Sequence, residues 1–408
     1  MTVNMKPKLP LAEFVPLLAF MISLVAMSID AVLPALPEVA KDLQFQSDND
    51  RQWVVIALFL GLGFAQLIFG PLSESIGRKY AVYIGCAIFL IGSLLSLFAT
   101  NFTLMIIGRV LQGIGAAGPR IICVTIVRDQ YEGREMARIM SFIMAVFILV
   151  PAVAPALGQA VMMFADWRYI FVMFIIMTCI GWIWFALRQP ETLPREKRLR
   201  FSLRTIWAGA KETCQHPVSF GYSLIAGLVF GTFVAYLSTA QQIFSLLYGI
   251  TDLFPLYFAI LALAIGAASL INGRLVMTLG IRRLSVAALC VMASVSISFW
   301  GFAYILAPVP PFWLTMVYLA VVFMAVGFLF GNTNAMAMEP LGHIAGTGSA
   351  VVGTIATLLS VALGTAIGQM FDETMLPLAG GFSFLSVIAL GVMRITEKRR
   401  LKYEGQVP

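Results

Sequence analysis

Asp30 stands near the end of the apolar run "FVPLLAFMISLVAMSIDAVLPALPEV" (residues 14–39), where it is the first charge to appear. A carboxylate inside an apolar helix costs about 3 kcal/mol on insertion scales, so such a residue usually has a task. Asp30 alone among the 20 acidic residues lies well inside an apolar segment. The chemistry open to it is to take up a proton on one side of a membrane and release it on the other. At helical spacing, Ser23, Met27 and Pro34 fall on the same stripe, a mildly polar face suited to a cavity. Pro34 and Pro37 remove backbone donors near the outer end of the run.

A second intramembrane charge is Arg109, in "RVLQGIGAAGPR". Arg109 and Asp30 each lie roughly 9 Å inside the same end of their segments, at about 1.5 Å per residue, so a direct or water-bridged contact is expected. Gln112, Gly113, Ala116 and Arg120 continue the face of Arg109. A cationic, small-residue stripe is untenable against lipid and should line a central pathway. In the second half of the chain Thr232, Tyr236 and Thr239 share a helical face, and Asn332 and Asn334 stand near a segment end. These are further candidates for a cavity wall. The 31 Phe and 21 Met residues are mostly packing or lipid-facing, although adaptable Met and aromatic walls suit a permissive pocket.

The elements that must hold these groups are transmembrane helices. The 408 residues are 60% hydrophobic and 12% charged, whereas a soluble chain is about a quarter charged. Windows of roughly 20 apolar residues occur twelve times: 14–36, 53–72, 80–99, 102–127, 139–163, 169–187, 218–241, 254–273, 284–306, 312–337, 350–371 and 378–394. The first is too long for a signal-peptide core and no cleavage site follows it, so it is expected to be retained. Of 27 Lys and Arg, only Lys41, Arg51 and Arg168 fall on one side, Arg109 and Arg120 fall within a helix, and the other 22 fall on the opposite side. This bias places both termini and the basic loops in the cytoplasm, and it accounts for the net charge of +7 without a nucleic-acid partner. The five cysteines have neither disulfide nor metal spacing.

The polar stretch 188–217 divides the chain into an N-terminal bundle (1–187), a cytoplasmic linker and a C-terminal bundle with a cytoplasmic tail (218–408). An internal repeat supports the division: "GPLSESIGRK" and "GRLVMTLGIRR" place Gly70, Leu72 and Gly77 in register with Gly273, Leu275 and Gly280. The expected fold is all-α, twelve transmembrane helices in two pseudo-symmetric six-helix bundles, with a binding site between them.

The first copy resembles the loop signature of the major facilitator superfamily, and "RVLQGIGAAG" resembles the motif of its fourth helix. "DAVLPALPEVA", "VRDQYEGREMARIMS", "VPAVAPALGQ" and "NAMAMEPLGHIAGTGSA" are similar to the Bcr/CflA group of drug:proton antiporters. The resemblance implies a bacterial inner membrane as the location and proton coupling through Asp30 and Arg109. It also implies a cytoplasmic gate of Gly70, Glu74, Gly77, Arg78 and Asp129 that latches helices two, four and eleven, and a fifth helix kinked at Pro151, Pro155 and Gly158 as in an antiporter motif. Two departures stand out: Glu74 replaces the usual loop Asp, and Arg120 replaces an apolar or small residue.

The reading is therefore a monomeric, proton-coupled exporter of drug-like, partly apolar molecules by alternating access. Its partners would be its cargo, protons and lipids, with no cofactor or metal. Export of a native metabolite or siderophore, and solute:proton symport, remain open on the same fold. An enzyme finds no support, since the chain has no Walker A loop, no His-x-x-Glu-His and no paired intramembrane carboxylates.

Overall fold

The computed structural model describes residues 9–404, and every regular element among them is helical. The expectations for the extreme termini, 1–8 and 405–408, lie outside the described residues. Helix α1 (Leu11–Asp30) is followed by a 3-10 turn (Leu33–Ala35) and the short α2 (Leu36–Asp42). Then come α3 (Trp53–Ile76), α4 (Arg78–Leu97), α5 (Phe102–Gln130), α6 (Gly133–Phe164) and α7 (Arg168–Arg188). After the linker helix α8 (Leu203–Gln215) follow α9 (Pro217–Gln242), α10 (Phe254–Leu279), α11 (Ile281–Ile305), α12 (Phe312–Met338), α13 (Ala345–Gln369) and α14 (Leu376–Glu404). In a bilayer, backbone groups must be satisfied within the segment, and only the helix does this for one isolated span.

Length and hydropathy alone yield 11 crossing segments, because residues 312–369 form one helical run of 58 residues. That run breaks at a 3-10 segment, Glu339–Ile344, in which Leu341 leaves helical geometry (φ −100°, ψ 18°). It therefore makes two spans, and the described chain has twelve.

The helices pack in the same order twice. In the first half α1 packs on α5, α6 and α7, α4 on α5 and α7, and α3 on α5; in the second, α9 packs on α12, α13 and α14, α11 on α12 and α14, and α10 on α12. The halves meet along α3 against α13 and α6 against α10, two contacts that exchange under the same twofold. The two glycine loops also match: Gly77 and Gly280 both adopt positive φ (103° and 79°) ahead of α4 and α11.

The first span differs from its expected extent. The ring of Pro34 would clash with the carbonyl four residues earlier, which is that of Asp30, and the regular helix stops at Asp30. The intramembrane acid thus stands at the last helical residue before a break. By contrast α6 runs through Pro151 and Pro155 as one helix, and Gly158 brings its backbone against α1: a Cβ there would lie 1.9 Å from the carbonyl oxygen of Ala31.

Candidate functional site

Asp30 is 4% exposed, and among the described residues no hydrogen bond or ion pair reaches its carboxylate. The expected direct contact with Arg109 does not form. Arg109, fully buried on α5, donates instead through Nη2 to the carbonyl of Ser28 (2.7 Å), through Nε to the carbonyl of Val54 (2.8 Å) and through Nη1 to Gln112 Oε1 (2.7 Å). Gln112 in turn donates to Ser93 Oγ (2.8 Å). The guanidinium fork satisfies carbonyls on α1 and α3 from α5, so it holds the helix that carries Asp30 without neutralising the acid.

Across the seam, the hydroxyl of Tyr236 on α9 is buried with no hydrogen-bond partner. Its ring is held edge-on by Phe323 (centroids 4.7 Å) and stacked on Phe258 (5.9 Å). Phe233, Phe230 and Phe330 extend the aromatic surface along α9 and α12, and Phe59 of α3 joins it from the other half.

The remaining expected wall residues are placed as follows. Ser23, Met27, Gln112, Ala116, Thr232, Tyr236, Thr239 and Asn332 are all buried. The hydroxyls of Ser23, Thr232 and Thr239 donate to carbonyls of their own helices. Asn332 forms a reciprocal amide pair with Asn272 of α10 (2.9 and 3.0 Å), a partner that sequence reasoning missed. Gln112 and Asn332 thus have their side-chain amides engaged inside one half, unlike the cavity-wall role expected for them. Arg120 keeps partial exposure, and no hydrogen bond or ion pair among the described residues engages it.

The expected gate residues converge at the basic end. Arg78 is bidentate to Asp129 (2.9 and 3.4 Å) and also donates to Ser73 Oγ (2.8 Å). Glu74 lies against Gly346 in the first turn of α13, where helix N-terminal polarity favours a carboxylate. Gly77 is required by its φ and by crowding, since a Cβ would meet Glu191 at 2.5 Å and Arg198 at 2.6 Å; Gly70 makes no such close approach.

Three linker groups were not anticipated. Glu191 accepts from the backbone N–H of Arg78 and Lys79 (2.9 and 3.1 Å) and so caps α4, Thr192 donates to Asp129 (2.8 Å), and the N–H of Leu199 donates to the carbonyl of Glu74 (3.0 Å). Further on, Glu212 of α8 pairs with His343 between α12 and α13. The second half repeats the charge cluster, with Arg282 bound to Glu339 (2.6 Å) and Glu397 (3.3 Å). The glycine repeat was the available signal for this copy.

The opposite end is closed by carboxamides. Asn49 donates to the carbonyls of Gln369 and Phe371 (3.1 and 3.0 Å), Gln52 to Gln242 Oε1 and the carbonyl of Gly368 (2.8 and 2.9 Å), and Arg51 to Gln241 Oε1 (3.2 Å). These bonds tie the start of α3 to the ends of α9 and α13 across the two halves. The polar tips "DNDRQ" and "AQQ" of otherwise apolar spans were their only sequence signal. Beside this seam a cleft of about 390 Å³ opens between the halves, lined by Pro34, Glu38, Gln159, Met162, Gln241 and Asp252 among others.

A doubled bundle of twelve membrane-crossing helices, with a charge cluster at one end and a carboxamide seam at the other, has the architecture of a membrane transporter. The Major Facilitator Superfamily model matches residues 18–396, and the chain belongs to that family. It is 31% identical to the "Uncharacterized MFS-type transporter YdgK" of Bacillus subtilis (strain 168), across 94% of this chain and 96% of that one. It is 26% identical to the "Bicyclomycin resistance protein homolog" of Haemophilus influenzae, across 96% and 98%. A solved D-xylose-proton symporter shares the fold at 15% identity, with a TM-score of 0.71 over 93% of this chain and 97% of that one. The protein is a multi-pass membrane transporter, not an enzyme.

Proposed function

We propose that the protein is a proton-coupled exporter of drug-like, partly apolar small molecules that works by rocking residues 1–187 against residues 218–408, with 188–217 as the linker. The observation that carries this reading is Asp30, a buried carboxylate on the seam with no fixed counter-charge. A permanently paired acid cannot cycle; an unpaired one can bind a proton in one arrangement of the halves and lose it in another. The name of the bicyclomycin-resistance relative supports an antibiotic-like cargo, and the aromatic surface of α9 and α12 suits a molecule with flat apolar parts. Met27, Ala116 and Arg120 would face cargo from the first half once the halves part.

Positive charge at the basic end supports a cytoplasmic location for that end, with the carboxamide seam outside, and the bacterial relatives favour a bacterial inner membrane. The protein would act as a monomer, since each chain holds both halves. One proton moving inward across about 100 mV supplies roughly 2.3 kcal/mol, enough for a cargo gradient of about fifty-fold.

The test is reconstitution in liposomes with an imposed pH gradient and a panel of structurally unrelated compounds. Wild type should concentrate several of them, and Asp30→Asn should abolish uphill transport while retaining downhill exchange. Full uphill transport by Asp30→Asn removes Asp30 from the mechanism.

A further inference from the structure

Two buried polar groups without a hydrogen-bond partner among the described residues, Asp30 and the Tyr236 hydroxyl, stand at corresponding places in the two halves. Asp30 closes the 20-residue α1, and Tyr236 stands the same number of residues into α9, which begins at Pro217. Helices α1 and α9 are the first of their bundles and occupy equivalent positions in the repeated packing. At about 1.5 Å per residue the two side chains therefore reach the same depth. The 3-10 turn that follows Asp30 packs on α9.

A buried hydroxyl with no partner costs about 1–3 kcal/mol, and a buried carboxylate more. The ring of Tyr236 cannot swing away to water, because Phe258 and Phe323 hold it. The orphaned hydroxyl is thus aimed by its own packing.

We infer that Tyr236 is the cross-half partner of Asp30, donating its phenolic hydrogen to the Asp30 carboxylate in the arrangement of the halves that follows proton release. This deepens the proton-coupled reading and rests on it. The acid gives its proton to water on the cytoplasmic side; the phenol keeps its own proton and only donates a hydrogen bond. The protonated acid is a poorer acceptor, so the bond stabilises one arrangement only when the proton is gone, and the protonation state then biases the equilibrium between arrangements.

The other groups around Asp30 do not compete for this role. The guanidinium of Arg109 on α5 is engaged by Ser28, Val54 and Gln112. From α3 comes the carbonyl of Val54, which already accepts from Arg109, and α6 meets the chain beyond Asp30 through Gly158 against the carbonyl of Ala31, while Gln159 donates to the carbonyl of Asp252. Tyr236 is in this account a positioning residue for the proton carrier and not a contact for cargo.

The experiment compares wild type, Asp30→Asn, Tyr236→Phe and the double variant, because phenylalanine keeps the ring packing and removes only the hydroxyl. Infrared difference spectra over a pH titration of the purified protein identify the Asp30 carboxylate band as the one lost in Asp30→Asn. In Tyr236→Phe that band should persist at a shifted frequency. Uphill transport should fall about tenfold, the loss expected for one hydrogen bond to a charged group, with downhill exchange within about twofold of wild type. The double variant should be no worse than Asp30→Asn alone, since coupled residues are not additive. An unshifted band with normal uphill transport in Tyr236→Phe overturns the pairing while leaving Asp30 as carrier. Equal losses of exchange and uphill transport would make Tyr236 a cargo contact and also overturn it. If Asp30→Asn itself transports uphill, the underlying reading falls instead.

Discussion

The two halves share one packing plan but differ in what they bury. The first half places an acid, a guanidinium and an amide within its core: Asp30, Arg109 and Gln112. At matching depth the second half stacks rings, with Tyr236, Phe258 and Phe323 at its centre and Phe230, Phe233 and Phe330 beside them. Under the proposed function, this difference would divide labour between the halves of a duplicated fold. Proton chemistry requires dehydrated charge, whose cost must be offset by fixed dipoles such as the carbonyls of Ser28 and Val54. Recognition of varied apolar cargo would need broad surface with few fixed directions, which the phenylalanine rings Phe230, Phe233 and Phe330 supply, while Tyr236 is reserved for Asp30.

The comparison can be broken most directly at Arg109. Arg109→Ala removes three charge-assisted hydrogen bonds linking α1, α3 and α5, with an expected cost of about 3 kcal/mol or more. Exchange activity and thermal unfolding in detergent should both collapse. Arg109→Lys should rescue little, because an ammonium cannot reproduce a planar fork. Asn332→Ala, which breaks one neutral amide pair in the second half, should cost much less. Equal losses would mean that the first half does not depend specially on its charged core.

Next in size is Gly158→Ala. The new methyl would overlap the carbonyl of Ala31, so α6 and α1 must separate beside Asp30 at an expected cost of about 1–3 kcal/mol. Proton-driven transport should be hurt more than fold stability, and a proton:cargo flux ratio measured beside the melting temperature checks this.

The repeated charge clusters give a smaller and sharper contrast. The side chain of Arg78 is 8% exposed, whereas that of Arg282 is 29% exposed and its partner Glu339 55%. Solvent screening discounts the second pair. Arg78→Ala should slow turnover about tenfold with cargo affinity unchanged, because it biases conformations without touching cargo. Arg282→Ala should change turnover less than twofold. Loss of cargo binding in Arg78→Ala, with normal conformational exchange, would end its assignment as a gate residue.

The smallest effect is expected at the linker. Glu212 and His343 are both well exposed, so Glu212→Gln should alter turnover by less than about twofold, and raised salt should erase the difference. A large, salt-resistant effect would show that α8 governs the gap between the halves.

Much of the architecture was legible because lipid imposes a one-dimensional rule: each crossing must be a helix of sufficient apolar length. Spans 312–337 and 350–371 were separable as residues although the helical run between them is nearly continuous, because "EPLGH" carries the charge, proline and glycine that end spans. Asp30 and Arg78 stood out for the same reason, as charges at places where charge is costly or in a spaced motif. The partners of those residues were not legible. Similar depth implied that Arg109 would meet Asp30, but depth does not specify rotation about the helix axis, and the guanidinium faces the carbonyls of Ser28 and Val54 instead. The cap that Glu191 places on α4 joins residues more than a hundred positions apart through a linker without periodicity. The carboxamide seam joins three helix ends whose proximity no single span encodes. Hydropathy and charge bias, which act residue by residue, therefore determined the number of helices, their order and the one acid that must be explained. Which side chains meet was decided by helix rotation and the docking of the two halves, because a hydrogen bond depends on distances of a few tenths of an ångström that only the packed whole sets.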